Sequence, residues 1–138
     1  MINTKREEDA MSQLMTTSEM QERYQGKEDP FDLALEKWTR IRRILDRSVT
    51  LRDFQRVFNA AAIPVPFCYE YQAMGCYGCP LETICARGRG ERFIRVMRII
   101  QAYVLAGDML PQEPLISEVD TFMLELEMVR AKARGTVH

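Results

Sequence analysis

Apolar residues recur every three to four positions along most of this chain, and no stretch alternates as a strand would. Asp29-Pro30 predicts a helix start, because an aspartate can cap the first turn and a proline fits the first helical position. From there Phe31, Ala34, Leu35, Trp38, Ile41, Ile44 and Leu45 form one stripe on a helical wheel, with Arg40, Arg43 and Arg47 opposite. Thr50 opens a second helix with Asp53 in a capping-box position, and Leu51, Phe54, Val57, Phe58 and Ala61 make the face expected to be buried. A third helix, over 91–106, turns Phe93, Val96, Met97, Ile100, Tyr103 and Val104 inward and Arg92, Arg95 and Arg98 outward, with Gly107 as its C-terminal cap. Pro111 and Pro114 mark a turn before a last helix over 115–133, whose inner face is Leu115, Val119, Phe122, Met123, Leu126 and Val129.

These elements predict an all-α domain of four to five helices over residues 29–138, with a four-cysteine metal-binding loop inserted at 67–90. Residues 1–28 are polar, with Met11, Leu14, Met15 and Met20 at loosely helical spacing, and read as a flexible or partner-dependent N-terminal tail.

All four cysteines fall in one segment, spaced Cys68-x7-Cys76-x2-Cys79-x5-Cys85. The chain is long enough to bury a core without covalent staples, so small size does not demand them. Ile63-Pro64-Val65-Pro66 stiffens the approach to Cys68, since each proline biases its predecessor to extended geometry. Two thiolates separated by two residues can share one metal, and Gly75 and Gly78 free the backbone between them for a tight turn. Four thiolates satisfy tetrahedral Zn²⁺, and the same four can hold a [4Fe–4S] cluster, one per iron. Buried free thiols, disulfides or a redox-active Cys76/Cys79 pair are the other readings. A redox pair calls for a βαβ context, which the helical pattern does not supply.

The string Cys76-Tyr-Gly-Cys79-Pro80-Leu81-Glu-Thr-Ile-Cys85 resembles the Cys-x2-Cys-x5-Cys element of WhiB-like regulators. It is also similar to the cluster-binding segment of the iron–sulfur branch of RecB-like exonucleases. Both families pair that element with one upstream cysteine, the position of Cys68 here. Small phage and archaeal proteins carry a similar helix with a Trp followed by a knuckle ending in Cys-Pro-Leu or Cys-Pro-Val. The resemblance covers about eighteen residues and implies ligation, not a reaction. WhiB-like proteins place a Gly-Trp-Gly-Gly-type turn downstream, where this chain has Arg87-Gly88-Arg89-Gly90.

Charge sharpens the picture around the cysteines. The chain's net charge is −1, but residues 1–36 sum to −5, residues 37–98 to +7 and residues 99–138 to −3. The basic middle is mostly arginine, which suits bidentate contact with phosphate or carboxylate. Arg87, Arg89, Arg92, Arg95 and Arg98, joined by Arg40, Arg43 and Arg47, are the candidate contacts for nucleic acid or an acidic protein partner. Tyr69, Tyr71 and Tyr77 could stack on bases or cover the sulfurs. The only histidine, His138, is the final residue, and no phosphate loop or dinucleotide fingerprint is present, so the sequence points away from an enzyme. No apolar run approaches the about 20 residues of a membrane span, and Met1–Asp9 has no signal-peptide core. The expectation is a cytoplasmic, zinc-stabilised helical binding or regulatory protein with no membrane or small-molecule partner. An iron–sulfur sensor or electron-transfer protein, and a purely structural protein, are the alternatives.

Overall fold

The helix opened by Asp29-Pro30 is the axis of the fold. The structure, a computed structural model, describes residues 14–47, 50–85, 92–106 and 109–135. Regular structure among these residues is all helical: α1 (Thr17–Gln25), α2 (Pro30–Leu45), α3 (Leu51–Ala61), α4 (Pro66–Tyr71), a 3₁₀ turn (Gln72–Met74), α5 (Arg92–Ala106) and α6 (Glu113–Ala133). The all-α class is as the hydrophobic period implies. The six helices exceed the expected four to five because α1 lies in the segment read as a tail and α4 in the segment read as a loop.

Local chemistry sets where the helices begin. The Asp29 carboxylate accepts from the Phe31 and Asp32 amides at 2.8 and 3.1 Å, with Pro30 in the first turn of α2. Thr50 and Asp53 form the reciprocal capping box of α3. Thr16 caps α1 through the Glu19 amide. These side chains satisfy backbone donors that a helix start leaves without partners.

Packing follows the apolar stripes. All seven expected residues of α2 are buried, and Leu33 and Lys37 are buried as well, because helices α1, α3, α4 and α6 surround α2. Helix α3 lies against α5, bringing the Phe54 and Tyr103 rings to 5.4 Å. Helix α6 runs along α2 and α5, and Trp38 of α2 meets Phe122 at 4.8 Å. Gln112 donates to the carbonyls of Leu45 and Arg47 at 3.0 Å, tying the end of α2 to the start of α6. Leu51 departs from expectation. It is the first residue of α3 and is exposed, since the helix enters the core only at Phe54. Pro114 sits inside the first turn of α6, not in a preceding turn. The expected cap Gly107 is outside the described residues.

Residues 14–28 of the expected tail are packed on the domain. Met15 and Met20 are 2% and 0% exposed. Arg40 of α2 reaches Glu19 of α1 at 2.7 Å and also pairs with Glu36, while Arg23 joins Glu19, Glu28 and Glu36. The apolar contact does most of the holding, because part-exposed ion pairs contribute about 0–1 kcal/mol each. Met20→Ala should therefore lower unfolding free energy by about 2–5 kcal/mol, read by urea titration. A tail that only brushes the surface would leave the urea midpoint where it was.

Candidate metal centre

The cysteine segment is built from turns anchored in the core. Pro66 starts α4, and Val65 before it is extended (φ −87°, ψ 164°), as the proline spacing predicts. Cys68 lies in this short helix. Gly75 and Cys76 both adopt left-handed conformations, with φ of 64° and 65°, which reverses the chain after the 3₁₀ turn. A cysteine there is strained, and the Cys76 amide is held by the Tyr71 carbonyl at 2.9 Å. The Cys79 amide donates to the Cys76 carbonyl at 3.1 Å, closing a tight turn with Gly78 at φ 80°. No atom lies within 4 Å of a Cβ built at Gly75 or Gly78, so backbone conformation, not space, favours glycine there.

Two apolar residues pin this segment inward. Leu81 and Ile84 are buried in the same core as Trp38. The Leu81 amide donates to the Cys79 sulfur at 3.4 Å, and the Cys85 amide to the Leu81 carbonyl at 2.9 Å. The Phe93 amide donates to the Ile84 carbonyl at 3.0 Å, joining the segment to the start of α5.

The result is a chamber of about 240 Å³ between the cysteine segment and α2. Cys68, Cys76 and Cys85 line it, together with Lys37, Trp38, Phe93 and Phe122. Cys79 is close enough for its thiol to feel Cys76 and Cys68 electrostatically. All four thiols are free, Cys76 buried and the others half-buried. Burial, reinforced by the neighbouring thiols, pushes Cys85 up to about 12. Burial also raises Cys79, against the Leu81 amide, which lowers it. The four sulfurs thus form one electrostatic group. Cys68, Cys76 and Cys85 border a space and not a point: among the described residues, no three histidine, cysteine, aspartate or glutamate side chains are placed to hold a single metal ion.

No family model, curated protein or solved structure matches this chain.

Lys37 is the residue that sequence reasoning passed over. It is 2% exposed, and its ammonium donates to the carbonyls of Ala61 and Ile63 at 2.7 and 2.8 Å. These carbonyls close the C-terminal end of α3, where a cation is also favoured by the helix dipole. Burial pushes the Lys37 amine down to about 7, opposed by Cys68 and Cys85. Its signal was present in the sequence, since Leu33, Ala34, Ile41 and Ile44 stand at −4, −3, +4 and +7 and make its helix face apolar.

The expected arginine surface is divided. Arg40 is drawn into the carboxylates of α1 and α2, where Arg40 holds the Glu19 carboxyl below its usual range. It is not on an open face, because α1 covers that side. Arg92 pairs with Glu125 at 3.1 Å and Glu118 at 3.4 Å. Arg47 is half-buried, while Arg43, Arg95 and Arg98 are exposed and make no ion pair among the described residues. Arg87 and Arg89 lie outside the described residues. Arg92, Arg95 and Arg98 border one open groove with Thr83, Ile94 and Glu125. Among the tyrosines, Tyr77 is 81% exposed, Tyr69 packs beside Tyr24, and Tyr71 rests against the core.

The shifts fix a pH dependence for metal-free protein. Lys37 binds its proton less readily folded than unfolded, so between about pH 7 and the ordinary lysine range the unfolded chain holds more protons and stability rises with pH. Cys79 and Cys85 have the opposite sign, because their raised folded values favour the native state below the ordinary thiol range and lose that advantage above it. Urea midpoints of chelator-treated protein should climb from pH 7 to about 9 and then fall. A flat profile would show that the ammonium and thiols are not buried together.

Proposed function

We propose that this protein is a helical binding or regulatory protein organised around a thiolate-ligated [4Fe–4S] cluster, with an arginine groove beside it for an anionic partner. The chamber carries this reading. A tetrahedral zinc ion draws four sulfurs to about 2.3 Å from one point, leaving no void among them. A cluster takes one thiolate per iron and needs a space several atoms across. Cys68, Cys76, Cys79 and Cys85 would be its ligands. When bound, such a cluster supplies one-electron exchange and a clamp that responds to oxidation. The protein's own groups exclude water with Trp38, Phe93 and Phe122 and direct the Leu81 amide at the Cys79 sulfur.

Zn²⁺ is the second reading. The Cys76–Cys79 turn favours it, because two sulfurs two residues apart, with a backbone amide on one, make half of a structural zinc site. Either centre fits the reduced thiols of a cytoplasmic protein, and the lack of a membrane-crossing helix among the described residues is consistent with that location.

The partner surface is the groove along α5, where exposed Arg95 and Arg98 stand next to Thr83 of the cysteine segment. Its chemistry suits phosphates of nucleic acid first and an acidic protein second. No reaction is assigned to the chain.

Anaerobically purified protein should be brown and absorb near ~400 nm, as thiolate-bound iron does. It should contain iron and sulfide, and Cys76→Ser or Cys79→Ser should lose both and melt at lower temperature. A colourless protein with one zinc per chain would replace the first reading by the second. A chain with neither iron nor zinc, and an unchanged melt on Cys→Ser, would remove both. For the groove, the Arg95→Glu/Arg98→Glu double variant should weaken binding to a fluorescent oligonucleotide at least tenfold. Wild-type affinity should fall as salt rises, and anisotropy that ignores both changes would exclude a nucleic-acid partner.

A further inference from the structure

Lys37 is the only buried charged side chain among the described residues, and the only charged residue lining the chamber. Its ammonium has three donors. Two are used by the Ala61 and Ile63 carbonyls at the C-terminal end of α3, where Ala61 is buried. The structure gives the third no acceptor among the described residues. An amide-bearing or hydroxyl side chain could have met those carbonyls without burying a charge. The ammonium also stands 5.1 Å from the centre of the Trp38 ring, and that ring lines the chamber too.

We propose that Lys37 is the fixed counter-cation of the inorganic centre. Its ammonium, anchored on two carbonyls at the chamber wall, offsets the negative charge that four cysteinate ligands bring into the space. This rests on the reading that the cysteines hold a metal or cluster. Four thiolates outweigh the charge of either Zn²⁺ or an oxidised [4Fe–4S] core, so both centres remain net negative. A buried net charge is costly unless an opposite charge is fixed nearby. No other residue of the chamber can supply one. Lysine suits the place better than arginine, because a compact ammonium can sit against two carbonyls and the chamber at once. For a cluster, the nearby cation also favours the reduced and more negative state, so Lys37 sets the midpoint potential as a positioning residue and ligates nothing.

The test uses the full chain, reconstituted anaerobically with ferrous iron and sulfide, beside Lys37→Met and Lys37→Gln. Methionine keeps the apolar stem without charge, and glutamine keeps a donor for the carbonyls. Both variants should titrate at a more negative midpoint potential than wild type and release iron to a chelator at least tenfold faster. A purely structural lysine would change the melting temperature but leave the potential in place. Variants that hold the cluster with wild-type potential and iron-release rate overturn the proposal. Should neither variant fold, wild-type protein labelled with ¹⁵N-lysine decides the matter. Loading with Cd²⁺ should shift the resonance of the buried ammonium, and an unmoved resonance overturns the role. A wild-type chain that takes up neither iron–sulfide nor Cd²⁺ fails earlier, at the reading of the centre itself, and Lys37's role falls with it.

Discussion

The interior of this domain holds an ammonium and three thiols against an aromatic wall, with the fourth close by, and their charges are interdependent. Without a bound cation, burial drives both kinds of group toward neutrality: the Lys37 amine is depressed to about 7, and Cys85 is pushed up to about 12. A neutral amine and protonated thiols are the cheapest contents for a space lined by Trp38, Phe93 and Phe122. A thiophilic cation reverses this, because it binds only thiolates and releases their protons. The sulfurs then become negative, and the ammonium becomes the favourable form. Under the proposed ligation the arrangement would have two self-consistent charge states, with the centre selecting between them.

That constraint explains why the surrounding packing is tight where it is. Lys37 can remain buried only if the end of α3 presents its carbonyls, which fixes α3 against α2. The cysteine segment can face Lys37 only if Leu81 and Ile84 are seated in the core. The left-handed pair Gly75 and Cys76 then turns the chain where Cys76 lines the chamber. Strain at a non-glycine residue with positive φ persists where surrounding contacts fix it, and such positions cluster at functional sites.

Much of the scaffold was legible because it rests on local rules. Asp29-Pro30, the Thr50–Asp53 box and the inner faces of α2, α5 and α6 depend on residues within a turn or two of each other. What stayed hidden depends on distant partners. Helix α1 has a weak apolar pattern, and its order comes from Met15 and Met20 entering the shared core and from Arg40, which lies more than twenty residues beyond Met15. Helix α4 is six residues long, too short to show a period. The clustering of cysteines was visible as spacing, but the chamber was not, because it requires α2 to supply the opposite wall. Lys37 was legible in principle from its apolar neighbours, yet a lysine within an apolar stripe reads as an interruption until a buried acceptor is known.

The ion pairs also narrow where a partner can bind. Arg40, Arg42 and Arg92 of the basic middle region pair with carboxylates of this chain, as do Arg23, Arg130 and Arg134 outside it. Of the residues bordering the groove, Arg95 and Arg98 keep their charge available, and they lie on the same helix as Phe93. Phe93 lines the chamber with its ring and holds the Ile84 carbonyl with its amide. Helix α5 therefore touches the chamber at Phe93 and presents Arg95 and Arg98 two and five residues further on. Under the proposed ligation, a change in the chamber's contents would reach the groove through this single helix. This is a short physical route by which an oxidation-sensitive centre would control the grip on an anion. A clamp serving stability alone has no need to share helix α5 with an open arginine groove, and the proposed regulatory role rests on that sharing.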